Sequence, residues 1–143
     1  MPLGELPPLQ SLTLQDARLL CYRNFGAPVG SHPAQGMALY FHGTPSCHLE
    51  AQVMNREAAR LGLALVSMDR SGIGLSTYKR KSTLETVADD ARQLLSHLGF
   101  AQASVIGTSG ARALRRAPAV HASGAAANKN CRRSPASDPR AGR

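Results

Sequence analysis

Two apolar runs constrain this chain more than any other feature: Met37-Ala38-Leu39-Tyr40-Phe41-His42 and Leu63-Ala64-Leu65-Val66-Ser67-Met68. Each has the length of a strand and is apolar on both faces, so each needs cover above and below, as a central strand of a layered sheet has. Between them Leu49, Val53, Ala58 and Leu61, with Glu and Arg interspersed, are compatible with a helix over residues 47–61 that Gly62 stops. Beyond the second run Leu84, Val87, Ala88, Ala91, Leu94, Leu95 and Leu98 recur at helical spacing, with Ser82 or Thr83 as cap and Gly99 as terminator. Ser104-Val105-Ile106 then forms a short strand running into Gly107. Strands alternating with helices of this length predict βαβ units, an α/β fold with a mostly parallel sheet and right-handed crossovers. Ahead of them, Leu12-Thr13-Leu14 and residues 18–23 flank Gln15-Asp16-Ala17 as a hairpin, and residues 26–36 are loop.

The chain of 143 residues has the length of one domain, and a domain of that size buries about two-thirds of its unfolded surface. Its charge of +8 is unevenly placed: residues 1–110 hold nine Lys/Arg against eight Asp/Glu, whereas residues 111–143 hold eight against one. The basic character therefore belongs to the end of the chain and says nothing about the fold. After Pro118, Val120 is the only branched apolar residue in a mixture of Ala, Ser, Pro, Asn, Gly and Arg. Such a segment cannot offset its ordering entropy by burial, so residues 1–117 are expected to form the domain and 118–143 a disordered basic tail. The tail's cations suit weak, salt-sensitive, non-specific contact with acidic partners, and no aromatic residue interleaves them for base stacking. Cys21, Cys47 and Cys131 are odd in number and lack metal-ligand spacing, which argues against a disulfide framework and a structural zinc site. No segment reaches the roughly 20 apolar residues of a membrane span, and the start of the chain lacks signal-peptide features. A cytoplasmic location is the expectation.

Three short motifs stand at successive strand ends. His42-Gly43-Thr44-Pro45 follows the first apolar run, Asp69-Arg70-Ser71-Gly72-Ile73-Gly74-Leu75-Ser76 the second, and Gly107-Thr108-Ser109-Gly110-Ala111 the third strand. A serine between small residues at a strand-to-helix turn can take the strained backbone that lifts its hydroxyl above a sheet. Taken together, the motifs resemble the landmarks of the α/β-hydrolase fold family over about residues 12–111, with Ala111 where the pattern expects Gly.

That resemblance implies a nucleophile at Ser109, oxyanion-binding amides at Thr44 and Gly110, and structural support from His42, Gly43, Asp69 and Gly107, with no cofactor and no metal. His42 is expected to hold the oxyanion turn rather than to take a proton, Asp69 to order the loop after it, and His97 to lie on the surface. His32, His48 and Cys47 belong to no constellation in the sequence. A turn serine without catalytic purpose is the alternative reading of Ser109.

The family's acid and histidine follow the nucleophile in that order. After Ser109 this chain has one histidine, His121, and then one acid, Asp138, the reverse order. The expected function is therefore that of a serine hydrolase acting on an ester, amide or similar small substrate, truncated after the nucleophile turn and with little or no activity. The alternative is a non-catalytic fragment or a basic-tailed binding protein. The abrupt change of texture after the turn resembles a shifted reading frame or altered splice. It also predicts that the last strand, residues 104–106, is an uncovered edge.

Overall fold

A computed structural model describes residues 5–32 and 35–109. Residues 112–117, whose Ala, Arg and Leu suit a helical continuation that Pro118 would end, lie outside the described residues, as do the tail, Gly110, His121, Asp138 and the boundary between the two expected segments.

Alternation of side chains in the N-terminal segment produces an antiparallel hairpin of β1 (Gln10–Thr13) and β2 (Leu19–Gly26), with Ala17 at positive φ in the connecting turn. The apolar runs form β3 (Met37–Phe41) and β4 (Ala64–Met68), and all ten of their residues are buried. The last strand among the described residues is β5 (Ser104–Gly107). The sheet order is β1-β2-β4-β3-β5. β3 runs parallel to both β4 and β5, whereas β2 runs antiparallel to both β1 and β4.

The sheet is therefore mixed rather than mostly parallel. The reason lies in β2, which sequence reading pairs only with β1. Its other edge carries Tyr22 and Phe25 into register with Met68 and Leu65, extending the parallel core by an antiparallel pair. β5 forms one edge of the sheet among the described residues and is only half-buried.

Period-two alternation divides the central strands between two cores. Met37, Leu39 and Phe41 of β3 and Ala64, Val66 and Met68 of β4 face α2 (Leu84–Leu98), packing on Val87, Ala91, Leu94 and Leu95. Burying each such leucine contributes about 1.5–3 kcal/mol. Ala38, Tyr40 and Leu65 face the other way with Phe25, Ala51 and Ala58. The helices thus cover opposite faces. The connection from β3 moves one way along the sheet and that from β4 the other, so both crossovers have one hand.

α2 starts at Thr83, whose hydroxyl accepts from the Thr86 amide while the Thr86 hydroxyl accepts from the Thr83 amide. It ends at Gly99, in the left-handed conformation. Leu84 is exposed, and the buried face includes an acid, Asp90, whose carboxylate meets the Arg18 guanidinium.

The other helical segment departs from expectation. It begins as a 3₁₀ helix, His48–Met54, and continues as α1, Asn55–Arg60. Leu49, Val53 and Leu61 are exposed, and His48, Ala51 and Ala58 are the buried residues. Three residues per turn place His48 and Ala51 on one line against the sheet, and that geometry overrides the apolar spacing. Among the described residues no helix is long and apolar enough to cross a membrane.

Candidate functional site

Because β3, β4 and β5 are parallel, their carboxyl ends lie along one edge of the sheet, where ligands bind in open α/β folds. The three sequence motifs meet there. His42 to Pro45 leave β3, Asp69 to Ser76 leave β4, and Thr108 and Ser109 leave β5. Gly107 closes the ladder opposite Phe41, and the Thr108 amide donates to the Phe41 carbonyl at 3.2 Å.

Ser109 is exposed and holds φ at 50°. A left-handed backbone at a residue with a Cβ costs about 1–3 kcal/mol and persists only where the surroundings impose it. The neighbour that permits the turn is Gly43. A Cβ on Gly43 would stand 3.3 Å from the Ser109 Cβ and 3.5 Å from the Thr108 hydroxyl, so a glycine lets the two turns approach.

His42 is fully buried. Its Nδ1 lies 2.7 Å from the Gly43 carbonyl, and its Nε2 accepts from the Arg70 amide at 3.3 Å. That pairing makes the ring a neutral Nδ1–H tautomer. Burial, with the nearby Arg70 charge assisting, lowers its pKa below 6.5. The imidazole thus ties the turn after β3 to the loop after β4, with neither nitrogen left to take a proton from Ser109. Arg70 adds a second tie, its Nη2 donating to the Thr44 hydroxyl at 2.9 Å and to the Gly43 carbonyl at 3.4 Å. Thr44 is exposed.

Asp69 is buried beneath the loop it begins. One carboxylate oxygen accepts from the His48 amide and the other from His48 Nδ1, both at 2.7 Å. His48 Nε2 in turn accepts from Arg23 Nε at 2.8 Å. Gly74 closes over this carboxylate, since a Cβ there would lie 2.6 Å from Asp69 Oδ2. Ser76 completes the loop by donating to the Asp69 carbonyl and accepting from the Cys21 amide, both at 2.9 Å.

His48 therefore belongs to a constellation that its sequence context does not reveal. Cys47 Sγ also falls within 4.8 Å of a His48 ring nitrogen and an Asp69 oxygen. A cation is nevertheless poorly served, because Arg23 brings a positive charge and a donor to the far side of the imidazole. His97 is on the surface, as expected.

The residue that sequence reasoning misses altogether is Glu50, which reads as a polar position on a helix. Its Oε1 accepts from the Tyr40 hydroxyl at 3.0 Å and from the Thr108 hydroxyl, and its Oε2 accepts from the Gly43 amide at 3.0 Å. The Thr108 hydroxyl above all, with Ser46, the Gly43 amide and Tyr40, holds the Glu50 pKa at about 2 against burial.

The fold and this edge define a class. The described chain has the α/β-hydrolase fold in its N-terminal portion. It is similar to a hydrolase from Pseudomonas aeruginosa, with 22% identity and a TM-score of 0.61 over 71% of this chain and 36% of the other. The thioesterase domain from the curacin biosynthetic pathway matches 78% of this chain and 40% of its own, with 18% identity and a TM-score of 0.63. An epoxide hydrolase from Vigna radiata matches 75% of this chain and 33% of its own, with 14% identity and a TM-score of 0.62. The chain thus spans between a third and two-fifths of the length of these structures. No family model and no curated protein matches the chain.

Proposed function

We propose that this chain carries the nucleophile-bearing part of a serine hydrolase acting on an ester, amide or similar small substrate. Ser109 is the nucleophile, and the amides of Thr44 and Gly110 receive the oxyanion. The observation that carries this reading is the left-handed Ser109 backbone at the carboxyl edge of the sheet, against Gly43. The Gly43 amide is engaged by Glu50, so the next amide of the turn, that of Thr44, is the one assigned to the oxyanion. Fold neighbours that include a thioesterase and an epoxide hydrolase support hydrolytic chemistry in general.

A serine hydroxyl needs a base, and His42 and His48 have both ring nitrogens engaged. Without a base from these two histidines, activity rests on the oxyanion turn and substrate binding, which in triad-deleted hydrolases still exceed the solution reaction by about 10³–10⁴. The test is a fluorophosphonate probe on the 143-residue chain with Ser109→Ala as control. Slow labelling confined to Ser109 is expected. An unlabelled chain, under conditions that label an intact serine hydrolase, would leave the non-catalytic reading in its place.

A further inference from the structure

The Glu50 carboxylate is the one acidic group among the described residues that joins the turn after β3 to the turn after β5. We infer that Glu50 is a positioning residue: through Thr108 and the Gly43 amide it locks the two turns together and so sets the backbone at Ser109. This inference rests on the reading of Ser109 as nucleophile for its catalytic meaning, but its structural content stands apart from that reading.

Besides the nearby Ser46, three donors converge on the carboxylate from β3, the turn after it and the end of β5. Tyr40 belongs to β3 and fixes one oxygen from within the sheet. Gly43 lies just beyond β3, and its amide holds the other oxygen. Thr108 comes from the end of β5, 58 residues away in sequence, and its hydroxyl reaches the oxygen that Tyr40 also uses. A carboxylate can accept from several donors at once, whereas an amide of the same shape exchanges one acceptor for a donor. Glutamine at position 50 could still accept from the Gly43 amide with its oxygen and donate to the Tyr40 and Thr108 hydroxyls, which accept as well as donate, whereas leucine, of similar size, offers none of the three a partner.

Thr108 immediately precedes Ser109, and its own amide is already bonded to the Phe41 carbonyl. The amide on β3 and the hydroxyl on Glu50 restrain the φ and side-chain torsions of residue 108. The Ser109 turn then starts from a residue held at both its amide and its side chain. The bond from the Gly43 amide to Glu50 also keeps that donor away from the oxyanion and orients the peptide that leads to Thr44.

The experiment compares Glu50→Leu, Thr108→Val, Thr108→Ser and the Glu50→Leu/Thr108→Val double variant in the full chain, by fluorophosphonate labelling of Ser109 and by hydrogen exchange of the Gly43 amide. The inference expects Glu50→Leu and Thr108→Val each to slow labelling about tenfold or more, since small displacements of reacting groups carry costs of that order. Thr108→Ser, which keeps the hydroxyl, should label at nearly the parental rate, and the double variant should be no slower than Glu50→Leu alone. Gly43 exchange should quicken at least tenfold in Glu50→Leu. Parental labelling rates in Glu50→Leu and Thr108→Val, or additive losses in the double variant, would overturn the inference. If the parent is not labelled at all, the proposed function fails and exchange decides: protection of Gly43 that is lost in Glu50→Leu and lowered in Thr108→Val, but kept in Thr108→Ser, upholds the clamp, and unchanged protection overturns it. Should Glu50→Leu not fold, the contrast between Thr108→Val and Thr108→Ser decides in the same way.

Discussion

Gly43 and Ser109 meet with only a hydrogen's width between them: a methyl group on Gly43 would stand 3.3 Å from the Ser109 Cβ. That is closer than side-chain carbons ordinarily pack, so Gly43→Ala pushes the turn after β5 outward by a few tenths of an ångström. Labelling of Ser109 should fall about tenfold, given that a full ångström of misplacement can cost about 10²-fold. The melting temperature should change little, because the residues displaced, half-buried Thr108 and exposed Ser109, lie beyond the core at the end of β5. A parental labelling rate in Gly43→Ala would show that the two turns do not constrain each other.

The pair Arg18 and Asp90 fastens α2 to the hairpin. Arg18 Nη2 lies 2.6 Å from Asp90 Oδ1 and Nη1 lies 3.1 Å from Oδ2, with both side chains buried. Arg18 Nε also donates to Asp16 at 2.8 Å, so Asp90→Ala leaves the guanidinium its half-exposed partner, and the cost in urea unfolding should fall below the about 3–5 kcal/mol of an isolated buried charge. Replacing both residues together, as in Arg18→Met/Asp90→Leu, should cost much less, because the desolvation penalty disappears with the charges.

Capping of α2 is a smaller contribution that can be isolated. Thr83→Ala removes the oxygen that accepts from the Thr86 amide at 3.3 Å. A loss of about 1 kcal/mol is expected from chemical denaturation, with Thr83→Ser nearly neutral.

Acid stability should follow two groups at the sheet edge. Glu50 has its pKa lowered from 4.5 to about 2 in the folded protein, so the folded state holds fewer protons than the unfolded state between those values. Its stabilising contribution is complete above about pH 5 and is lost as pH falls toward 2. His42 is also lowered from 6.5, by burial, and has the same sign: the unfolded chain takes up its proton first, so stability declines as pH drops below 6.5. Unfolding followed from pH 7 to 3 should show both losses, and Glu50→Gln should flatten the lower part of the curve.

Much of the fold could be read in sequence because its signals are local. The two apolar runs became β3 and β4 nearly to the residue, the hairpin turned at Gln15-Asp16-Ala17, and α2 followed its leucines from Thr83 to Gly99. The helix after His42-Gly43-Thr44-Pro45 was legible as a helix but not as a 3₁₀ turn with Val53 and Leu61 outside, because its buried face is set by the sheet beneath it. The partners of the candidate site were illegible for a different reason. Arg18 and Asp90 are 72 residues apart, Glu50 and Thr108 are 58, and His48 and Asp69 are 21, and no periodicity connects such pairs.

The sequence alone determined which segments must be covered on both faces, where each strand ends, and that small and polar residues follow those ends. Side-chain period and turn chemistry are properties of a few neighbouring residues, and they need no knowledge of the rest of the chain. Only the tertiary structure decided that β2 lies antiparallel beside β4, that His48 is buried on Asp69, and that one glutamate gathers Tyr40, Gly43 and Thr108. These are choices among many polar partners, and they are made when sheet packing removes water and a buried hydrogen-bonding group must find whichever complement is within reach.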